Sequence, residues 1–459
     1  MRSPEVRQKG PIEALLAKEF REIAGGRALW IMLLLLCGLV GFSFLQAAEL
    51  YGEASASAKD SPLLAGSLSP LDGILVPTLG SFYLGVTLLF PFVAIRAISN
   101  EKETGALRLL VQLPYSVWVL SAAKLTAVFL AWVVAGVPAF SALAVWMISG
   151  GHIHGGEALN LLSGHLLYGM LIGAIALFAA AISESSATAA IIALAVTIGS
   201  WVLDFTAAGH SGMIGWLSQV SLTQTLRPFE QGLLSAGLVV GMAGAILGFT
   251  ALAAIWLPPG IPTREKLLHS AVCVLGICAV LGVGASIRRT FDVTEDRRNS
   301  FAAADQQQLS KLSRPLAVTV NLAPEDPRFL DLRRNVLSKI ERAMPNVIVN
   351  VVGRTNTAEA DRYGEVDYSY DGRTDMSRST SPREILPLIY GLAGLPPPAP
   401  LAALDYPGYP LVMDARWSMP WFFGLLPLAI VIFWWLSRRP PKIIYVTKES
   451  NHENASRDP

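Results

Sequence analysis

Eight long, predominantly apolar stretches of this chain contain no Asp, Glu, Lys or Arg, and this feature limits the possible folds more than any other. A helix needs about 20 apolar residues to cross the hydrocarbon core of a bilayer. Only 15% of the residues are charged, against about a quarter in soluble proteins. The sequence therefore predicts an α-helical polytopic membrane protein. The uncharged stretches are Ala28–Ala48, Gly73–Ile95, Leu125–Gly156, Ala158–Ser183, Ser185–Leu203, Gln231–Thr263, Leu267–Ile287 and Trp417–Ser437.

The distribution of Lys and Arg predicts how the chain is oriented. Cations lie in the N-terminal segment, in the loop after the second stretch, after the sixth stretch and in the tail that begins with Arg438 and Arg439. Short loops rich in Lys and Arg stay in the cytoplasm, so both termini are predicted to be cytoplasmic in a multi-pass protein of the inner (plasma) membrane. The net charge of +1 excludes a nucleic-acid binder that relies on bulk positive charge.

The segment 205–226 is uncharged but rich in Ser, Thr, Gln and Gly. A ninth span there would place Arg438 and Arg439 outside the cell, against the distribution of cations. The segment is therefore predicted to be extracytoplasmic or re-entrant.

Residues 288–416 have the charge density of a soluble domain and are predicted to lie outside the cytoplasm. Ala317–Leu322 alternates apolar and polar residues, a helical pattern begins at Asp326, and Val347–Val352 is a second apolar strand. This order predicts a βαβ unit in a small α/β domain. Arg354–Thr380 is polar and predicted to be loop.

The same insert carries no recognisable catalytic site. It contains no Cys and no His, which excludes a thiol nucleophile, an imidazole base and a His-bearing metal site. A capping box at Ser381–Glu384 predicts one further short helix. We interpret the insert as a binding or scaffolding module.

The loop after the second stretch predicts a short amphipathic helix. Asn100 is a candidate cap, Glu103 completes a capping box, and Pro114 ends the pattern. An apolar ridge beside charged residues suits a helix that binds a groove of a partner protein, but it also suits a helix lying at the lipid interface. The candidate partner-binding residues are Asn100, Glu101, Lys102, Glu103, Gly105, Leu107, Arg108, Leu110 and Pro114.

The amino-acid pattern of this segment favours the partner-binding interpretation. Glu101-Lys102-Glu103-x-Gly105-x-Leu107, followed by Leu109-Leu110, Pro114-x-Ser116 and Lys124, closely resembles the cytoplasmic coupling segment of ABC-2 type transporter permeases. Ala106 stands where that family usually has Thr. The amphipathic stretch Ile12–Ile23 resembles the elbow helix of the same family. The resemblance implies six spans with an ABC-2 permease fold.

A second resemblance begins after the seventh stretch. Asp292-x-Thr294-x-x-x-Arg298-x-Ser300 is similar to the opening of the auxiliary protein of gliding-motility-type ABC transporters. There the motif follows a transmembrane helix and leads into a strand. The resemblance implies an auxiliary-type domain, here fused to the permease and shortened. The expected organisation is an elbow helix (1–27), a permease domain (28–257), a seventh helix (267–287), the insert (288–416), an eighth helix (417–437) and a cytoplasmic tail (438–459).

These resemblances imply a function. A permease subunit of an ABC exporter binds no cofactor itself and is no enzyme, while a separate ATPase subunit docks on the coupling helix and carries ATP and Mg²⁺. This chain has no G-x-x-x-x-G-K-[ST] phosphate loop, which agrees with that division. Six family-like spans imply a second permease copy in a homodimer, or a related permease.

Two alternatives stay open from the sequence. One is an ATP-driven membrane machine that acts on a cell-envelope partner without moving a substrate. The other is a membrane-embedded enzyme, which the lack of a clustered His, Asp or Cys constellation disfavours. His152 and His154 form a pair that can bind a metal, although such pairs are more often solvent-exposed, and no metal site is predicted.

Overall fold

The computed structural model describes residues 10–59, 61–207, 221–323, 326–344, 346–352, 362–398 and 406–438. Within these residues, eight helices are long and apolar enough to cross a membrane, which confirms a polytopic helical protein. We number them spans 1 to 8 in chain order. They are Arg27–Ser57, Leu71–Glu103, Val117–Ala135, Gly155–Ile182, Ser186–Leu203, Ala236–Trp256, Thr263–Ser286 and Ala415–Ser437.

The third span begins earlier than the sequence predicted. The uncharged stretch begins at Leu125, but the helix begins at Val117 because Lys124 is buried inside the bundle and does not interrupt it. Ser116 caps this helix by accepting a hydrogen bond from the backbone N–H of Val119. At Gly136 the helix ends, and a second helix, Val137–Ile148, continues toward the opposite end of the bundle. Pro138 lacks the N–H that an uninterrupted helix would use there, which accounts for the break.

An amphipathic helix precedes span 1, as predicted. This elbow helix runs over Pro11–Gly25, and Gly26 separates it from span 1. It lies beside span 3 and the end of span 2, so that the N-terminal helix and segment 96–116 occupy one end of the bundle, which we call the elbow end. The insert lies at the opposite end, which we call the insert end.

Spans 6 and 7 are joined by a close helix–helix contact and by a strand pair. A Cβ atom added to Gly237 would lie 2.2 Å from the carbonyl oxygen of Gly284, so the two backbones approach as only glycine allows. Gly244 and Gly248 similarly receive Val280 and Ile277. At the insert end, β1 (Leu233–Ser235) pairs antiparallel with β2 (Thr290–Asp292).

The insert is a two-layer α/β domain, as expected. Its sheet has four strands, in the order β4 (Val347–Val351), β3 (Leu316–Val320), β5 (Val366–Tyr370) and β6 (Arg373–Ser377). The predicted βαβ unit is confirmed, because β3 (Leu316–Val320) and β4 (Val347–Val351) are parallel, and helical turns from Pro327 to Ala343 connect them. The helix Pro382–Ala393 also packs on the buried face of the sheet. Residues Ala303–Leu309 form a further short helix.

The prediction that 354–380 is loop was wrong for residues 366–377, and its part over 354–361 lies outside the described residues. Residues from Val366 to Tyr370 form β5 and those from Arg373 to Ser377 form β6, an antiparallel hairpin beside β3. Asp371 and Gly372 make its turn with φ values of 54° and 77°. An Asp-Gly pair with two positive φ angles is typical of the type I′ hairpin turn. The alternation of Val366, Tyr368 and Tyr370 with polar residues gives the buried face of β5.

The segment 205–226 lies largely outside the described residues. The helix of span 5 is traced to Ala207, and the described chain resumes at Ser221 at the insert end with a short turn, Thr223–Thr225, and a short helix, Arg227–Glu230. The described part adds no ninth span. The prediction of a re-entrant or extracytoplasmic segment stays a prediction.

Candidate functional site: the elbow end and its charge ring

Four charged side chains form a closed ring at the elbow end. We call Lys18, Glu19, Glu101 and Lys124 the charge ring. Lys124 Nζ lies 2.8 Å from Glu19 Oε2 and 2.6 Å from Glu101 Oε2. Lys18 Nζ lies 3.1 Å from Glu19 Oε1 and also pairs with Glu101 Oε1. Each carboxylate thus gives one oxygen to each lysine, so cations and anions alternate around the ring.

Three members of the ring are buried, Lys18 is partly exposed, and the amino groups of both lysines have their hydrogen bonds satisfied. Glu19, Glu101 and Lys124 are at most 1% exposed. Lys124 makes its third hydrogen bond to the carbonyl oxygen of Ala97, at 2.6 Å, and Lys18 makes its third contact to Glu22 at 3.1 Å. Although burial lowers the pKa of Lys18, the hydrogen bond and charges of Glu101 and Glu19 raise it well above its ordinary value. Buried charges are tolerated when they are paired in this way.

The charge ring joins three separate elements. Lys18 and Glu19 belong to the elbow helix, Glu101 to the end of span 2, and Lys124 to span 3. Asn100 adds a fourth link by donating a hydrogen bond to Glu22 Oε1 at 2.7 Å. The ring therefore fixes the elbow helix to the bundle by charge as well as by apolar packing.

Sequence reasoning missed Glu19. It lies four residues from both Leu15 and Ile23, and all three are buried on one face of the elbow helix. A carboxylate on the apolar stripe of an amphipathic helix was the available signal, because such a group needs a buried partner. Lys124, inside an otherwise apolar helix, was the matching signal.

The other two charges of the Glu-Lys-Glu motif fasten spans 4 and 5. Lys102 Nζ donates to the carbonyl oxygens of Ala180, Ala181 and Ser183 at 2.5 to 3.0 Å. It thus covers the carbonyl groups that the end of span 4 leaves without helical partners. Glu103 Oε1 accepts a hydrogen bond from the backbone N–H of Ser186 at 3.2 Å, at the first turn of span 5. An anion at a helix N-terminus is favourable for the same reason.

The predicted single helix from Asn100 is in fact two helices. Arg96–Glu103 continues span 2, so Asn100 lies inside a helix and does not cap one. Gly105 has φ of 74° and ends that helix, and Ala106–Leu110 forms a second, short helix. The predicted capping box at Glu103 was wrong for this reason. A residue other than glycine would strain the left-handed conformation at position 105.

The candidate residues divide into a buried and an exposed set. Glu101 and Leu107 are buried, Lys102 and Leu110 are half-buried, and Asn100 is held by Glu22. Glu103, Gly105, Arg108 and Pro114 are exposed. The exposed part also includes Leu109 and Leu113, which are 68% and 43% exposed. We define the exposed elbow surface as Thr104, Gly105, Arg108, Leu109, Gln112 and Leu113.

Carboxylates that could hold a cation also converge at this end. Oxygens of Glu19, Glu22 and Glu101 lie within 4.8 Å of one another. The amino groups of Lys18 and Lys124 contact these carboxylates and supply the positive charge that such a cluster requires. The arrangement therefore acts as an ionic fastening between helices.

The insert end has its own fastening, built from the second motif. Asp292 accepts hydrogen bonds from the hydroxyl of Thr294 at 2.6 Å and from the backbone N–H of Asn299 at 3.0 Å. The loop so shaped directs Arg298 to Asp72 of span 2 and to the hydroxyl of Ser69 at 2.6 Å. This motif therefore clamps the insert onto the bundle.

His152 takes part in a neighbouring contact and does not converge with His154 on a metal site in the described part of the chain. Its Nε2 lies 2.9 Å from Glu295 Oε2, and its ring stacks on Tyr409 at 3.6 Å. Tyr409 donates a hydrogen bond to the other oxygen of Glu295. Burial raises the pKa of Glu295, but the hydrogen bonds from Tyr409 and His152 outweigh it and leave that pKa below its ordinary value.

Comparison with known proteins agrees with this architecture over the first part of the chain. Residues 13–210 match the family model described as ABC-2 family transporter protein. The match covers most of the elbow helix, the charge ring, the exposed elbow surface and spans 1 to 5. Span 6, span 7, the insert and span 8 lie beyond it. Searches of curated proteins and of solved structures each gave no significant match.

Proposed function

We propose that this chain is the permease subunit of an ABC transporter and that a separate ATPase subunit docks on the exposed elbow surface. The family match over residues 13–210 supports the transporter class. The observation that carries the docking site is the way Glu101, Lys102 and Glu103 tie this segment to the elbow helix and to spans 3, 4 and 5. A partner bound here would hold several helices at once.

The division of this segment into fixed and free residues suits mechanical coupling. The three charged side chains of the motif are engaged with the bundle, whereas Arg108, Leu109 and Leu113 project from it. An exposed leucine pair beside an arginine fits an apolar groove with an acidic rim. The partner would supply that groove, together with the ATP and Mg²⁺ sites. The chain itself would bind no cofactor.

The coupling follows from linkage. Nucleotide binding that favours one arrangement of two ATPase subunits shifts the permease equilibrium only if the two permease states contact the motor differently. The charge ring and Lys102 make the elbow helix and the ends of spans 2, 3 and 4 move together. A displacement of Leu109 by the partner would then move the ends of these helices, because the segment is fixed to them.

The remaining assignments follow from the same proposal. The elbow end, with both termini, faces the cytoplasm of the inner membrane, and the insert is extracytoplasmic. Two copies of the chain, or one copy and a related permease, form the transport unit. The expected direction of transport is export.

A second candidate is an ATP-driven machine that acts on a cell-envelope partner through the insert. It is favoured by the clamp of Arg298 on Asp72 and Ser69, because this clamp would transmit movement of span 2 directly to the insert. A solute that stimulates ATP hydrolysis in reconstituted vesicles would favour the transporter. Stimulation only by an envelope component bound to the insert would favour the machine.

The docking proposal is tested with a double substitution on the exposed surface. Arg108→Glu with Leu109→Glu reverses one charge and removes one exposed apolar side chain without touching the charge ring. We expect the ATPase subunit that co-purifies with the tagged chain to fall at least about tenfold. Ile261→Glu is the matched control, because Ile261 is also exposed and lies in the loop between spans 6 and 7 at the same end. Equal recovery with both variants would refute this docking site.

A further inference from the structure

A cavity between the insert and the strand pair β1–β2 is lined by three cations. It has a volume of about 280 Å³ and is lined by Arg297, Lys339 and Arg342 together with Asp292. The two oxygens of Asp292 already accept hydrogen bonds from Thr294 and Asn299. With three cations and one carboxylate in its lining, the cavity has an excess of positive charge.

Two of these cations have no anionic contact at hydrogen-bond distance within the described residues. Lys339 is half-buried, and its Nζ lies 5.8 Å from the centre of the Phe301 ring, as a cation over an aromatic face. Arg342 donates one hydrogen bond, from Nη2 to the carbonyl oxygen of Asn299 at 2.6 Å. Burial lowers the pKa of Lys339 and that of Arg342, and for Lys339 the nearby charge of Arg342 adds to the effect. An anion bound in the cavity would raise the pKa of Lys339 and that of Arg342 toward their ordinary values.

The backbone of one lining residue is unusual as well. Arg297 has φ of 49°, a left-handed conformation that is strained for a residue other than glycine. Turns on both sides hold it there, through the hydrogen bonds from Arg297 N–H to the Thr294 carbonyl and from Ser300 N–H to the Arg297 carbonyl. Strain of this kind concentrates at sites that position a side chain for a ligand.

The position of the cavity relates it to the membrane surface. Span 7 ends at Ser286 and β2 begins at Thr290, so at most about 13 Å of extended chain separates them. Phe291, which also lines the cavity, is 53% exposed. Lys and Arg side chains just beyond the end of a span lie near the headgroup layer of a bilayer.

We propose that the cavity formed by Arg297, Lys339 and Arg342 binds an anionic phosphate group. The ligand chemistry is that of a phosphate monoester or diester, which can come from the headgroup of an anionic phospholipid or from a soluble phosphate. The hydroxyl of Ser300, another lining residue, would add a hydrogen-bond donor. This site lies at the insert end and is independent of the docking surface proposed above.

The test uses the full chain and two kinds of probe. Inorganic phosphate and glycerol 3-phosphate are titrated calorimetrically into the protein in neutral detergent, and native mass spectrometry counts the phosphatidylglycerol molecules retained after mixed-lipid nanodiscs are dissolved. We expect Lys339→Gln to weaken binding by about tenfold or more, since charge-assisted hydrogen bonds have this strength. Lys339→Arg should retain it.

Matched variants separate this result from a folding defect. Lys311→Gln removes an exposed lysine of the same domain and should leave binding unchanged. Thermal unfolding of every variant shows whether the insert is intact. Loss of the soluble anions or of the lipid with Lys339→Gln supports the site and identifies the source of the phosphate. Binding unchanged by Lys339→Gln, or absent from the native chain with both probes, would overturn the proposal.

Discussion

Lys124 illustrates how much one side chain can determine at the residue scale. It is a full charge placed at a position that is 1% exposed, in a helix predicted to span the membrane. Three oxygens, from Glu19, Glu101 and the backbone of Ala97, surround its amino group. Removal of Lys124 alone would leave the buried carboxylates of Glu19 and Glu101 with Lys18 as their remaining lysine partner. This costs more folding free energy than removing all the charges of the group together.

We therefore expect Lys124→Met to destabilise the protein by about 3–5 kcal/mol, the usual cost of breaking a buried ion pair. The measurement is the apparent unfolding temperature of the detergent-solubilised chain. Lys59→Met, at an exposed position, is the control. Addition of Glu19→Gln and Glu101→Gln to Lys124→Met should recover part of the loss. If the unfolding temperature did not recover, charge balance would not be the way in which the ring stabilises the protein.

Glu295 provides a pH-dependent contact between insert and bundle. Its pKa is lower in the folded protein than its ordinary value of 4.5 because Tyr409 and His152 donate hydrogen bonds to its carboxylate. Its contribution to stability is therefore present above pH 4.5 and is lost as the pH falls through the folded pKa. His154 and Glu157 lie nearby, and Glu157 accepts the backbone N–H of Glu295 at 2.9 Å.

We predict that Glu295→Gln lowers the unfolding temperature at pH 7. The unfolding temperature of the variant should then decrease less than that of the native chain as the pH falls below 5. Thermal unfolding of both proteins across this range measures the difference. Glu384→Gln, in the insert and remote from this contact, serves as the control. Parallel pH profiles for the native chain and the Glu295 variant would contradict the assignment.

Single residues were the hardest part of the site to predict. The motif Glu101-Lys102-Glu103 was recognised, but an exposed role was expected for all three. The structure buries Glu101 in the charge ring and uses Lys102 to cover the end of span 4. These roles depend on Glu19 and on the carbonyl oxygens of Ala180 and Ala181, which are distant in sequence. Local pattern cannot supply partners that only packing brings together.

At the scale of elements, the least embedded span is held by glycine. Span 7 lies against span 6, and the two backbones come very close together at Gly237 and Gly284. A side chain at position 237 would collide with a carbonyl oxygen, and backbone atoms cannot move aside as a flexible side chain can.

We expect Gly237→Val to separate the outer ends of spans 6 and 7 and to weaken the β1–β2 pair that follows. Because β2 leads into the loop that carries Arg298, the substitution should increase proteolysis of the insert near Arg288 in detergent. Gly199→Val is the control, because a Cβ there meets nothing within 4 Å. Equal proteolysis of the two variants would exclude this role for the glycine contact.

Elements were predicted well where a pattern was long and poorly where it was short. The eight spans and the βαβ unit follow from long apolar stretches and strand periodicity, and both were confirmed. The hairpin β5–β6 was missed because β6 is largely polar and exposed, and because the alternation of Val366, Tyr368 and Tyr370 in β5 extends over only five residues. The break at Gly105 was missed because the helical pattern continues across it.

At the scale of the whole molecule, each end of the bundle has a charged fastening. The charge ring joins the elbow helix to spans 2 and 3, and the clamp of Arg298 joins the insert to span 2 near its other end. Span 2 therefore connects the exposed elbow surface to the insert. We therefore expect a partner that displaces the elbow end also to move the insert, because span 2 is linked to both.

The proposed division between permease and ATPase is tested by ATP hydrolysis in the tagged chain purified in mild detergent. We expect a nucleotide-binding subunit to co-purify and to hydrolyse ATP. We also expect Arg108→Glu with Leu109→Glu to remove most of this activity, while Ile261→Glu retains it. Failure to recover a nucleotide-binding subunit with the intact native chain, or activity unchanged by the double substitution, would refute docking of an ATPase on the exposed elbow surface.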